Sequence, residues 1–465
     1  MQVPVLSGVF ADERANYNDS YPVNMVPVIA QTGVSNGYLR VADGAERLGA
    51  GVGTPRGGFN WNGELYRVSG TKLVKIASDG SHVVLGDVGA GGRVTFACSF
   101  DRLAVSSGGR LYYWDGATLD QVVDSDLGTS LTVVWIDGYF MSTDGEYIVV
   151  TELGNPMSVN PLKYGSSEID PDPIVAVLKL RNEAVAVNRY TLEFFNDVGG
   201  ANFPFQRIEG AQVQKGALGA NCACVYMDMV ALLGSGHNEA PGLHLAANGT
   251  TTKISTHAID SLLEKYTEAE LTSAVLETHA FQASPQLWVR LPDRTLVYDA
   301  TASQAVGSPV WFQFTSARDG FERYRVVDPV WCYDAWCVCD AEDGAFGRST
   351  PDSARHFGDV VRWEFSAMAV YNEGRGALWR QLELVCLPGR VEEDDDPVVS
   401  TSYTLDGEAW SQDRPIRAGK RGDRMRRLVW FQQGFMRNWR VQRFTGDSRA
   451  RIAVSRLEVQ LEALV

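Results

Sequence analysis

Ten cations crowd one short stretch of the chain: Arg414, Arg417, Lys420, Arg421, Arg424, Arg426, Arg427, Arg437, Arg440 and Arg443. Trp430, Phe431, Phe435 and Trp439 lie among them. From Arg414 to Arg456 there are 13 basic residues and two acidic ones, Asp423 and Asp447. The whole chain carries a formal charge of −15, so everything outside this stretch is strongly acidic. Such separation directs a field from one basic surface on an acidic body. The planar guanidinium fork binds oxyanions in pairs, so DNA phosphates and the carboxylates of a protein surface both fit. A third reading needs no ligand, because arginines alternating with aromatics also make the wet face of a β-sandwich. These ten residues are the candidate interface.

Other strings have residue types that could serve catalysis or metal binding. Gly33-Val-Ser-Asn-Gly37 has the spacing of a nucleophile elbow, which works where a strand passes into a helix. Tyr38-Leu-Arg-Val41 and Asp43-Gly44 follow with no helical period, so a turn is expected there. Thr404-Leu-Asp-Gly-Glu-Ala-Trp410 resembles the Asp-box of sialidase-type propellers but occurs once and lacks the usual serine start. An Asp-Gly hairpin turn with a packed Trp accounts for it. Cys222-x-Cys224 and Cys332-x4-Cys337-x-Cys339 offer thiolates, yet no paired knuckle or nearby histidine completes a zinc site. They are expected to be small core residues. The six histidines form no HExxH pair, and His257 and His279 are expected to be ordinary polar or capping residues. Asp170-Pro-Asp172-Pro predicts a stiff exposed linker, and Arg421-Gly-Asp423 is a chance match to an adhesion tripeptide. No catalytic residue, metal ligand or cofactor is expected.

The elements that would position these residues are mostly strands. The chain has 465 residues, 46 of them glycine, with 17 Tyr, 19 Phe and 12 Trp. Many glycines with many aromatics suggest short strands and tight turns. No run approaches the ~18 apolar residues of a membrane span. The opening Met1-Gln-Val-Pro-Val5 lacks the charge and long apolar core of a secretory signal. Seven cysteines form no disulfide framework, which implies a reducing compartment. A repeated hairpin runs along the chain, its first strands beginning at Leu65, Leu103, Tyr139, Ala184, Val230, Leu287 and Trp336. Its partners begin at Lys72, Leu111, Tyr147, Thr191, Leu243, Thr295 and Gly344. Turn residues precede most first strands: Asn62-Gly63, Asp101, Asp137-Gly138, Asn182, Asp228 and Asp334. The spacing overlaps the ~40–50 residues of a four-stranded propeller blade. The expected fold is all-β, a six- or seven-bladed β-propeller-like body plus a C-terminal β-sandwich region. A strand from the N-terminal arm could close the circle.

One segment breaks the pattern. Ser255 to His279 carries Ile259, Leu262, Leu263, Tyr266, Leu271, Ala274 and Val275 at helical spacing, and Thr267-Glu-Ala-Glu270 fits a capping box. A helical insertion at about 255–280 is expected. After about residue 360 six longer strands predict the sandwich, interrupted by the acidic run Glu392-Glu-Asp-Asp-Asp396, read as a solvated loop. The expected organisation is an N-terminal arm with first strands over 1–58, the propeller over 59–359, and the sandwich region with the basic patch over 360–465.

The N-terminal strings are distinctive. Pro4-Val-Leu-Ser-Gly8, Asp12-Glu-Arg-Ala-Asn-Tyr17, Tyr21-Pro-Val-Asn-Met-Val-Pro-Val28 and Gly33-Val-Ser-Asn-Gly-Tyr-Leu39 closely resemble the opening of the packaged-DNA stabilisation proteins of short-tailed bacteriophages, the tail accessory factors, hubs or nozzles. The resemblance implies a structural virion component without catalytic residues, made in the host cytoplasm. It implies a hexameric ring beneath the portal and its head-to-tail adaptor ring, extending the DNA channel and retaining the packaged genome. Tailspikes and the tail needle would attach to it, and DNA would pass without sequence-specific binding. Two alternatives remain open at this level: a propeller-type phage glycan-binding or glycan-cleaving tail protein, and a cytosolic propeller scaffold of the host. The first would need an acidic pair and arginines converging on a pocket.

Overall fold

Every hairpin read from the repeat is the central pair of an antiparallel sheet, of five strands in the third sheet and four in the others, in the computed structural model, which describes residues 2–3, 21–29, 37–200, 202–282, 284–370, 375–391 and 396–464. In the first sheet Pro55–Trp61, Glu64–Ser69, Lys72–Ile76 and His82–Asp87 pair in order, with Leu65 opposite Ile76. Five further sheets follow over 95–121, 133–166, 174–207, 223–253 and 275–314, and a seventh begins at Val326–Cys332. Their innermost strands touch in sequence, and those of blades seven and one also touch, so the sheets close into a ring. Most hairpin turns before the second strand use left-handed residues: Asn62, Asp137, Asp228 and Asp334 have positive φ. Blade four differs from expectation, because Arg181 rather than Asn182 takes that conformation.

The blade count is seven, and the N-terminus completes it. Gly44–Gly49 is the outer strand of the last blade, pairing with Phe346–Thr350 so that Thr350 faces Gly44. This seals the ring with contacts about 300 residues apart in sequence. The seam is tight: a Cβ on Gly344, whose φ is +72°, would lie 2.0 Å from the Gly53 carbonyl oxygen.

Two short helices, α1 (His257–Leu263) and α2 (Glu268–Thr272), separate blades five and six. Thr256 caps α1, and Thr267 and Glu270 form the reciprocal capping box at α2. Ile259, Leu262, Leu263 and Leu271 are buried against the blades. The expected insertion runs too far, because Val275 already opens the inner strand of blade six, Val275–Phe281. A third helix, α3 (Ala300–Val306), sits inside blade six between its last two strands.

The C-terminal region folds as two sheets around one core. One contains Arg362–Val370, Trp439–Asp447, Val398–Thr404 and Arg414–Arg417, in that spatial order. The other runs Met25–Ile29, Gly37–Val41, Ala453–Ala463, Ala377–Leu387, Leu428–Phe431. Trp363, Phe365, Trp379, Leu382, Trp430 and Phe444 fill the space between them together with Met25 and Leu39. Full burial of each such side chain contributes roughly 1.5–3 kcal/mol. The stretch before residue 50 thus serves both bodies, giving three strands to the sandwich, the short Gln2–Val3 among them, and one to the propeller. Asn24 pins the junction: its Nδ2 donates to the carbonyls of Thr315 (2.8 Å) and Arg362 (2.6 Å). Met25–Ile29 packs on α3 and on the outer strand of blade six, Val310–Phe314.

Candidate interaction surfaces and the axial charge cluster

The basic segment lies at the end of the sandwich farthest from the propeller. Arg414–Arg417 and Leu428–Phe431 are the distal edge strands of the two sheets, and residues 418–427 connect them. Arg414, Arg417, Lys420, Arg421, Arg424, Arg426, Arg427 and Arg437 are all exposed. Arg417 pairs with Asp396 at 3.1 Å, and Arg427 grips the Glu383 carboxylate through Nε at 2.8 Å and a second nitrogen. Among the described residues Lys420, Arg421, Arg424, Arg426 and Arg437 have no carboxylate within ion-pair distance. Met425 is 91% exposed beside them, and Phe431 and Phe435 also face solvent. The acidic run is placed only at Asp396; residues 392–395 lie outside the described residues.

Arg440 departs from the expected surface. It is fully buried, its guanidinium 3.6 Å from the Tyr403 ring and 4.2 Å from the Trp379 ring. It donates to Gln442 Oε1 (2.9 Å) and to the Gln433 carbonyl (2.6 Å). Burial lowers its pKa to about 9. Arg440 is a core cation held by ring faces, because it shares strand parity with the buried Phe444. Arg443 is half-buried over the Trp410 ring at 4.1 Å.

A second charged surface escaped the sequence reading. Residues 100–172, spanning blades two and three and the connection to blade four, hold 12 acidic residues and three basic ones. Asp101, Asp115, Asp120, Asp137, Glu146 and Glu168 are exposed. Phe100 (91% exposed), Val123 (84%), Leu153 and Leu162 (77%) stand among them. A windowed charge count would have found this surface, whereas the whole-chain balance hides it.

The propeller axis is plugged by charge. Arg93, just before the inner strand of blade two, pairs with Glu277 on the inner strand of blade six and Asp328 on that of blade seven. Arg290 Nε lies 3.5 Å from Glu277 Oε2, and Arg67 donates to the carbonyls of Asp328 (2.9 Å) and Cys337 (2.8 Å). Burial raises the pKa of Glu277, against the pull of Arg93 and Arg290. Burial opposes ionisation of Asp328 as well, but Arg93, Arg67 and Arg290 outweigh it and its pKa falls. Two cavities adjoin the cluster at Arg93, one of about 350 Å³, lined also by Arg290, Arg323 and Asp328, and one of about 260 Å³, lined also by Gly57, Phe96, Val133, Val177, Ala223 and Leu276. Duplex DNA, whose major groove alone is about 12 Å wide, cannot enter spaces of that size.

The remaining strings have structural places. Asp406 accepts from the amides of Glu408 and Ala409, both 3.0 Å, in the turn expected at Thr404–Trp410. Cys332, Cys337 and Cys339 are buried, and burial pushes the Cys222 and Cys339 thiols up to about 12. His279 stacks between Trp288 (4.6 Å) and Trp336 (4.4 Å), and burial lowers its pKa to about 3. Asp172 is half-buried rather than exposed, with Oδ2 accepting from the Tyr190 amide at 2.7 Å. Residues 33–36 of the elbow-like string lie outside the described residues, as do the N-terminal strings at 4–8 and 12–17; Gly37 begins a strand. Among the described residues no three His, Cys, Asp or Glu side chains converge as a metal site. Among the described residues no helix is long and apolar enough to cross a membrane.

Known proteins decide the family. A family model described as bacteriophage P22 Gp10, β-propeller, matches residues 1–354, and a second, bacteriophage P22 Gp10, β-sandwich, matches residues 362–462. The chain belongs to the P22 Gp10 family. It is 31% identical over 334 residues to the tail hub protein gp10 of Salmonella phage P22, which spans 67% of this chain and 68% of that protein. This Gp10-family chain is therefore homologous to a phage tail structural protein, as the N-terminal resemblance implied. Solved structures similar to it include the computationally designed Ika8 protein (14% identity, covering 75% of this chain and 96% of that one, TM-score 0.40). The Neurospora crassa Pan2 WD40 domain is similar at 10% identity, 64% and 90% coverage and a TM-score of 0.41.

Proposed function

We propose that the chain is a tail hub or nozzle in a phage virion: a non-enzymatic ring, six copies around, that continues the DNA channel below the portal and adaptor. It is made in the host cytoplasm and ends in the tail, where it retains packaged DNA and offers attachment surfaces to tailspikes and the tail needle. The observation that carries this reading is the pair of Gp10 matches, which together span both bodies of the chain.

The physical properties of the chain support it. The plugged axis leaves a DNA path only through the centre of a ring of copies. A body with a formal charge of −15 repels phosphates, so a duplex slides past it, whereas a basic lumen would grip DNA with salt-dependent strength. Seven blades closed by their own N-terminal strand make a stiff wall with short, protected edges. The carboxylates beside the cavity of about 350 Å³ are neutralised by arginines rather than poised as an acid–base pair.

The test is genome retention. DNA-filled heads lacking this protein are incubated with it and challenged with nuclease. Protection of the genome on addition, with no cleavage of host-surface oligosaccharide, supports the proposal. Unprotected DNA together with oligosaccharide cleavage would overturn it in favour of the glycan-cleaving alternative.

A further inference from the structure

The two charged surfaces lie at opposite poles of the molecule. The sandwich is anchored on blade six through Asn24 and the Val310–Phe314 strand. Blades two and three are each three blades away from blade six, one in either direction around the ring of seven, so they face the opposite side. Within the sandwich sheet the strand on blade six, Met25–Ile29, is separated from Leu428–Phe431 by three others. At ~4.8 Å per strand the basic edge stands about 19 Å farther out. One pole is basic and studded with exposed Met425, Phe431 and Phe435; the other is acidic and studded with exposed Phe100, Val123 and Leu162.

We infer that the basic distal edge of the sandwich docks on the acidic flank of blades two and three of a second copy of this chain. The inference rests on the ring proposed above and names the surfaces that build it. Complementary patches on opposite sides of one chain give a heterologous, head-to-tail contact, which closes into a ring when its rotation permits. An isologous dimer would instead oppose like charges, which repel. The apolar side chains on both poles supply contact area, while the charges set register and partner choice. The occupant is a second copy rather than DNA, because the basic pole carries exposed apolar side chains that DNA phosphates cannot use.

Charge-swap rescue tests this in full-length protein. One variant carries Arg421→Glu, Arg424→Glu and Arg426→Glu; a second carries Asp120→Lys, Glu146→Lys and Glu168→Lys; a third carries all six. None of these side chains holds a backbone amide, so melting temperatures should match the parent protein. Should the triple reversals fail to fold, Arg424→Glu, Glu146→Lys and their combination carry the same test. Copies incorporated into heads lacking the protein are counted by electron microscopy at physiological salt. Each half-reversal should incorporate at least tenfold less, and the combined variant should recover to within about twofold of the parent. Half-reversals that form normal rings would overturn the surfaces and leave the ring standing. A combined variant worse than either half would show that the poles meet other components, and would also overturn them. Normal rings with leaking DNA in the basic-pole variant would assign that pole to DNA instead. Failure of the parent protein itself to form rings on heads would bring down the proposed function, and this inference with it.

Discussion

Removing Arg93 should unlock the propeller at its axis. Glu277 and Asp328 are 5% and 3% exposed, so without their shared cation they become buried charges with incomplete partners. Breaking a buried pair by deleting one member costs about 3–5 kcal/mol. Arg93 keeps 26% of its side chain exposed and Arg290 stays near Glu277, so the low end, about 3 kcal/mol, is expected for Arg93→Met. At ~2 °C per kcal/mol for a domain of this size, the melting midpoint falls by about 6 °C. The pH dependence has a definite sign. Without Arg93 both carboxyls bind protons more readily than they do in the folded parent protein, so the variant's loss relative to the parent shrinks as pH falls. The deficit against the parent protein should therefore be smaller at pH 5 than at pH 8. Adding Glu277→Gln and Asp328→Asn removes the stranded charges and should recover more than half of the loss. Thermal melts followed by tryptophan fluorescence measure all three. A deficit below ~1 kcal/mol, equal at both pH values, would mean that water already solvates the cluster, and the reasoning would fail.

Gly344→Ala forces a side chain into a left-handed residue against the Gly53 carbonyl, costing ~1–2 kcal/mol for the backbone and ~1–3 kcal/mol for the clash; limited proteolysis should then cut first near residues 50–54. Asn24→Ala strands the Thr315 and Arg362 carbonyls and should cost ~2–4 kcal/mol, read as a lower melting midpoint with new cleavage between blade six and the sandwich. Burial, with Arg325 nearby, lowers the pKa of His356 to about 3, so its folded form binds fewer protons than the unfolded chain between that value and about 6.5. Stability should fall with acidification there, and His356→Gln should flatten the slope by up to ~1.4 kcal/mol per pH unit, measured by melts from pH 4 to 7.

The central hairpins were legible because each pairs two runs such as Leu65-Tyr-Arg-Val68 and Lys72-Leu-Val-Lys-Ile76, apolar enough to be buried on both faces. Outer strands such as Thr250–Lys253 were not, because they are short, polar and exposed on the rim. The closing strand Gly44–Gly49 has no local signature at all; its identity depends on a partner about 300 residues away. α3 escaped notice because Ala300-Thr-Ala-Ser-Gln-Ala-Val306 buries only Ala302 and Ser303, leaving no apolar stripe to read. In the basic segment composition located the patch, but only strand parity separates the core Arg440 from its exposed neighbours. The opposite acidic pole needed the ring order of the blades before its position meant anything.

Imaging of tail-vertex particles by electron cryomicroscopy, reconstructed with and without this protein, bears most directly on the claim that the chain walls the genome's exit. The account predicts a coaxial ring of copies on the tail vertex, with duplex density running through the ring's centre and none along any single propeller axis. Copies scattered singly on the particle surface, or absent from the vertex altogether, would contradict it.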